Sequence, residues 1–105
     1  MAYYNKNLQS NLGKSLINYK ILSGKYIIYE TNTRAKIYNA YNDEIIFDGE
    51  FLNGKRNGKG KEYYDNSVLK FEGEYLNNKR NGKGKQYSDY GRLLFEVEYL
   101  NGERN

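Results

Sequence analysis

The chain has no cysteine and no histidine. Without cysteine there is no disulfide and no thiolate metal ligand; without histidine the commonest zinc ligand and the usual general base are missing together. The residues left argue against a hydrolase or a metalloenzyme, and the reading from sequence is a non-enzyme with no metal, no cofactor and no small-molecule substrate. Long apolar stretches are equally scarce. The longest runs only from Tyr26 to Tyr29, far short of the roughly 18 residues of a membrane-spanning helix, and the first residues lack the apolar centre of a secretory signal. The expected location is cytoplasmic, with peripheral contact to membrane or cytoskeleton left open. Charge of one sign is modest as well: 17 Lys and Arg against 13 Asp and Glu give a formal +4. That supports weak attraction to acidic surfaces, but it is far from the dense basic composition of a dedicated nucleic-acid binder.

What the chain does have is rings. It carries 13 Tyr and 4 Phe in 105 residues, with an apolar share of 38%, so aromatic side chains must supply most of the buried area. A domain of this length buries only about two-thirds of the surface its unfolded chain exposes, which leaves little reserve of stability.

It also repeats itself. "NGKRNGKGK" at 53–61 returns as "NNKRNGKGK" at 77–85, inside a longer unit. From Phe47, "FDGEFLNGKRNGKGKEYYDNSVLK" is followed by "FEGEYLNNKRNGKGKQYSDYGRLL" and by the partial copy "FEVEYLNGERN", a period of 24 residues. Phe47, Phe71 and Phe95 correspond, as do Phe51, Tyr75 and Tyr99, and Arg56, Arg80 and Arg104. Upstream, one extra residue aligns Gly24 with Gly49, Tyr26 with Phe51, Ala35 with Gly60 and Tyr38 with Tyr63. The chain divides accordingly into a head (1–21), a degenerate first repeat (22–46), two full repeats (47–70 and 71–94) and a partial one (95–105). In the head, Leu8, Leu12 and Leu16 fit one stripe of a short amphipathic helix covering the first edge of a sheet, interrupted by Gly13; the alternative is a disordered head.

Each full unit reads as a hairpin. In Phe47-Asp48-Gly49-Glu50-Phe51 the rings and the glycine fall on one face and the carboxylates on the other, the alternation of a half-buried strand. Asn53 to Gly58 then forms the connection, because Asn-Gly pairs accept positive φ. The return strand is expected over Lys59–Tyr63, and Asp65-Asn66-Ser67 turns the chain again. Glycine weakens a strand, so its recurrence at 49, 58 and 60, and again at 73, 82 and 84, predicts places where a neighbouring ring lies over bare backbone. Phe47, Phe71 and Phe95, two strand spacings or about 10 Å apart, would form a bridged ladder of rings.

"FEGEYLNNKRNGKGKQY" resembles the MORN repeat (membrane occupation and recognition nexus): aromatic, acidic, Gly, acidic, aromatic, then Asn-Gly-Lys and a final Gly-x-Gly before an aromatic. The resemblance is strong over 47–105 and weak over 22–46, and it departs from the pattern at Val97, where Gly is expected, and at Glu103 in place of Lys. It implies an all-β fold, a single elongated antiparallel meander of stacked hairpins lined on one face by aromatic residues. It also implies non-catalytic work as a scaffold for protein interaction or self-association, with phospholipid binding as a disputed second role.

The remaining motifs carry less. Gly49-x4-Gly54-Lys55 approaches a P-loop, but Arg56 stands where a magnesium-binding hydroxyl belongs, and a strand follows where a helix is required. Glu72 and Glu74 are two apart on the solvated side of a strand, where nothing raises a pKa. For nucleic acid, the adjoining carboxylates pair with the lysines more cheaply than phosphates would. Two site expectations follow. Phe51, Tyr63, Tyr75, Tyr87 and Tyr99 are the candidate partner-binding rings. The alternative is docking to anionic membranes through Lys55, Arg56, Lys59, Lys79, Arg80 and Lys83 along a basic row of hairpin loops.

Overall fold

The computed structural model describes residues 2–3, 20–21 and 24–104, with side chains from Gly24 onward. Near the N-terminus β1 (Ala2–Tyr3) pairs antiparallel with β2 (Lys20–Ile21). The helix or disordered head anticipated around Leu8, Leu12 and Leu16 lies outside the described residues. The rest is one open antiparallel sheet of eight strands, each hydrogen-bonded to the next in chain order: β3 (Lys25–Tyr29), β4 (Arg34–Asn39), β5 (Ile45–Leu52), β6 (Lys55–Tyr63), β7 (Leu69–Leu76), β8 (Lys79–Tyr87), β9 (Leu93–Leu100) and β10 (Glu103–Arg104). The all-β meander of stacked hairpins is therefore the fold.

The turns differ from the sequence reading in one respect. The connection between β5 and β6 is two residues long, not six: Asn53 and Gly54 both have positive φ (53° and 78°), the primed turn whose twist matches that of the flanking strands. Pairing resumes at once, Leu52 opposite Lys55. Asn77-Asn78 and Asn101-Gly102 make the same turn. The Asn-Gly after the arginine in each phrase is a bulge instead, with Gly58 at φ 105° and Gly82 at φ 103°. The register slips there, between Gly49/Phe51 on β5 and between Gly73/Tyr75 on β7.

Register places the repeat positions in rows across the sheet. One row runs Ile37, Phe47, Glu62, Phe71, Gln86, Phe95; the next runs Ala35, Gly49, Gly60, Gly73, Gly84, Val97. Ala35 thus pairs with Gly49 as Gly60 pairs with Gly73, and Tyr38 pairs with Ile45 as Tyr63 pairs with Leu69. The return-strand half of the degenerate repeat is aligned as expected. The first-strand half is not, because Tyr29, and not Gly24, stands opposite Ala35. The β3–β4 turn is built without Asn-Gly, on the Thr31 hydroxyl accepting the Thr33 and Arg34 amides, and the chain returns to the row after six residues, from Tyr29 to Ala35, where the full repeat takes eleven, from Gly49 to Gly60, which shifts β3 relative to its counterparts.

The core lies on the glycine face. Phe47 and Phe71 are fully buried, and Phe51, Tyr75 and Tyr99 nearly so. A Cβ at Gly60 would lie 2.4 Å from Phe47 Cζ and 3.1 Å from Tyr75 Cε1, and one at Gly84 would lie 2.3 Å from Phe71 Cζ. Rings on both sides close over the glycine row, and only a residue without a side chain leaves room for them.

Candidate interaction surface

The rings touch in a zigzag. Tyr29, Phe51, Phe47, Tyr75, Phe71 and Tyr99 follow one another with centroids 5.2–5.9 Å apart. From Phe51 onward each ring meets the next edge to face, at 87–90°, the arrangement favoured by the quadrupole of an aromatic ring. The arginines of the basic phrase turn onto this face: Arg56 lies 4.3 Å above Phe47, Arg80 4.0 Å above Phe71 and Arg104 4.5 Å above Phe95. Arg80 is also paired with Glu62, through Nη2 to Oε1 at 2.9 Å and Nε to Oε2 at 3.0 Å. Its Nη1 reaches the Tyr99 hydroxyl at 2.9 Å, while the Tyr75 hydroxyl donates to Glu62.

This network sets the titration of its members. Burial alone would raise the Glu62 carboxyl, but hydrogen bonds from Arg80 and Tyr75 outweigh it and hold the group below its usual value. Burial, then the bond to Glu62, pushes the Tyr75 hydroxyl well above the ordinary tyrosine range. In the next unit Gln86 stands in place of Glu62, at 3.4 Å from Arg80 Nη1. The charged pair is therefore made once and not repeated.

The opposite face is charged, and the positions that face one another across neighbouring strands alternate in sign. Lys36 faces Asp48, Asp48 faces Lys61, Lys61 faces Glu72, Glu72 faces Lys85 and Lys85 faces Glu96. Lys59 faces Glu74 and Lys83 faces Glu98 in a second row. A groove of about 400 Å³ runs between the rows, lined by Asp48, Lys59, Lys61, Glu72, Glu74 and Lys85 among others. Two of the acids have structural work: Glu50 Oε1 accepts the Lys59 amide at 2.7 Å and Glu74 Oε1 the Lys83 amide at 3.1 Å. Each thereby caps the bulge that Gly58 or Gly82 makes.

The anticipated partner-binding rings are split between these faces. Phe51, Tyr75 and Tyr99 are only 4–6% exposed and belong to the core. Tyr63 and Tyr87 follow Lys61 and Lys85 onto the charged face and are half-buried. Burial, then the Asp48 charge, raises the Tyr63 hydroxyl. The Tyr87 hydroxyl is raised by its 2.6 Å bond to Glu72. The lipid-binding set is split too. Arg56 and Arg80 are laid on rings, whereas Lys55, Lys59, Lys79 and Lys83 remain exposed, and none of these lysines is in an ion pair within 4 Å among the described residues.

Sequence reasoning missed three features. The Glu62 network needs a carboxylate two register rows, across the glycine row, from an arginine 18 residues later, which only the strand pairing reveals. The caps were foreshadowed by Glu50 and Glu74 recurring eight positions before Gly58 and Gly82. The third is a row of exposed leucines, Leu52, Leu76 and Leu100, each just before a primed turn on the charged face. Its signal was present as the repeated Leu position.

Against known proteins, residues 47–68 and 71–92 match the family model of the MORN repeat, in tandem. No curated protein and no solved structure matches the chain.

Proposed function

The chain carries two tandem MORN repeats, and from that premise we propose that it is a non-enzymatic scaffold for protein interaction or self-association. Its recognition face is the charged one. The observation that carries this reading is the recurrence of accessible apolar groups on that face, in step with the repeat. Tyr63 and Tyr87 are half-buried, and Leu52, Leu76 and Leu100 are 54%, 45% and 60% exposed. Rings and leucines bordered by charge are the composition of an interface anchor with a polar rim. Phe51, Tyr75 and Tyr99 act indirectly, by fixing the spacing of the strands that present these groups. The test is affinity capture from native lysate with lipids retained, comparing the wild type with a variant carrying Tyr63→Ser, Leu76→Ser and Tyr87→Ser whose melting temperature is unchanged. Loss of the captured proteins supports the face, and undiminished capture removes it.

A second reading, docking to anionic membranes, is favoured by the four unpaired lysines Lys55, Lys59, Lys79 and Lys83, each worth about 1 kcal/mol near an anionic surface. Glu50, Glu74 and Glu98 on the same face oppose it. Salt-sensitive flotation with anionic vesicles, abolished when all four lysines are reversed to Glu, is the expected signature; flotation indifferent to those changes rules the reading out.

A further inference from the structure

Val97 stands in the glycine row, at a place where its two counterparts cannot carry a side chain. A Cβ at Gly49 would lie 2.7 Å from Gly60 Cα, 2.7 Å from the Lys59 carbonyl oxygen and 2.8 Å from Phe47 Cζ. At Gly73 the same three distances recur, to Gly84 Cα, the Lys83 carbonyl oxygen and Phe71 Cζ. The direction of the conflict is informative. At both positions the nearest backbone atoms belong to the following strand, β6 or β8. Main-chain atoms of a paired strand cannot swing aside as the tip of a long side chain can. A side chain here is thus compatible with the strand before it, as Val97 opposite Gly84 demonstrates, and incompatible with a bulged Gly-x-Gly strand after it.

The last unit has the form this predicts. Its primed turn closes normally, Leu100 opposite Glu103 and Tyr99 opposite Arg104, and Arg104 lies over Phe95 as Arg56 lies over Phe47. Those contacts are the half of the hairpin that comes before the bulge, and Val97 does not reach them.

We propose that Val97 is the terminator of the array. It closes the outer flank of β9, beyond the two residues that β10 already pairs, to a bulged Gly-x-Gly strand of this repeat type, whether from a following unit or from a second copy. Sheet growth of the kind that joins β5 to β6 and β7 to β8 stops there, and the scaffold has a defined length on that side instead of an open, filament-forming edge. The offending atom is the β carbon itself, so alanine terminates as valine does, and only glycine releases the edge.

The test lengthens the full chain by a copy of residues 82–94 joined after Asn105, which supplies the bulge, the Gly-x-Gly strand and the next turn. With Val97 or with Val97→Ala, the added segment should be cut readily by protease and exchange its amide hydrogens freely. With Val97→Gly it should resist cleavage and exchange roughly a hundredfold more slowly. Equal protection in the valine and glycine backgrounds overturns the proposal, as does a glycine variant, folded by its far-UV spectrum, whose added segment stays unprotected. Protection in the alanine variant overturns the assignment to the β carbon.

Discussion

The two faces of this sheet are built from the same strands, residue by alternate residue, yet they are held in different ways. On the ring face the contacts are chiefly geometric: edges meet faces, guanidinium groups lie flat on rings, and glycines are bare because a single carbon more would collide with Phe47 or Phe71, with the Glu62–Arg80 pair as a charged addition. On the charged face opposite signs stand on neighbouring strands, but among the described residues only Arg34–Asp48 makes an ion pair within 4 Å between them. Shape therefore decides the first face and only average charge the second. The first should tolerate almost no change and the second a great deal, and this difference leaves the charged face free to vary in sequence.

The comparison can be broken by mutation. Phe71→Ala should cause the largest loss, about 3–5 kcal/mol, read as a fall in the urea midpoint, because Phe71 is fully buried and joins Tyr75 to Tyr99. Gly84→Ala should follow at about 2–3 kcal/mol, with the added methyl aimed at the tip of the Phe71 ring.

Glu62→Gln should cost about 1–2 kcal/mol, less than a fully buried pair would, since both partners retain some solvent contact. It should also change the pH profile. The Glu62 carboxyl is depressed in the folded state, so its contribution is complete above the unfolded value near about 4.3 and is lost as pH falls through the folded value. Acid melting curves of the wild type should show this decline, and those of Glu62→Gln should lack it. Tyr75 works at the other end: its raised hydroxyl gives stability that is complete below about pH 10 and is lost as pH rises above it. Tyr75→Phe should flatten that alkaline limb.

The smallest effect belongs to the charged face. Lys85→Gln should move stability by no more than about 0.5 kcal/mol, checked by the same denaturation. A loss there matching that of Gly84→Ala would erase the distinction between the faces.

Much of the ring face was legible in the sequence. A 24-residue period, with Phe and Gly in alternate places, fixes one side of each strand, and the empty positions at Gly60 and Gly84 announce a ring above them. The period also disclosed that Ala35 and Tyr38 are relatives of Gly60 and Tyr63. What failed has physical causes. Two Asn-Gly pairs lie in one phrase, and composition alone does not tell which becomes the turn and which the bulge. The slipped register then sent Arg56 and Arg80 onto the rings while leaving Lys55 and Lys79 outside. The burial of Phe51, Tyr75 and Tyr99 was not legible, because strand alternation shows which face a ring takes but not whether that face is covered. The Glu62–Arg80 pair depends on strand pairing at a separation of 18 residues, and no local pattern encodes it.

The second and third primed turns are gripped from behind. Asn78 donates its amide to the Arg56 carbonyl at 3.0 Å and returns a side-chain oxygen to the Arg56 amide at 2.8 Å, and the Gly102 amide reaches the Arg80 carbonyl at 2.8 Å. Successive hairpins are thus joined tip to strand as well as strand to strand. Synthesis on the ribosome delivers the strands in chain order, so a nascent chain can fasten itself tooth by tooth without waiting for its end.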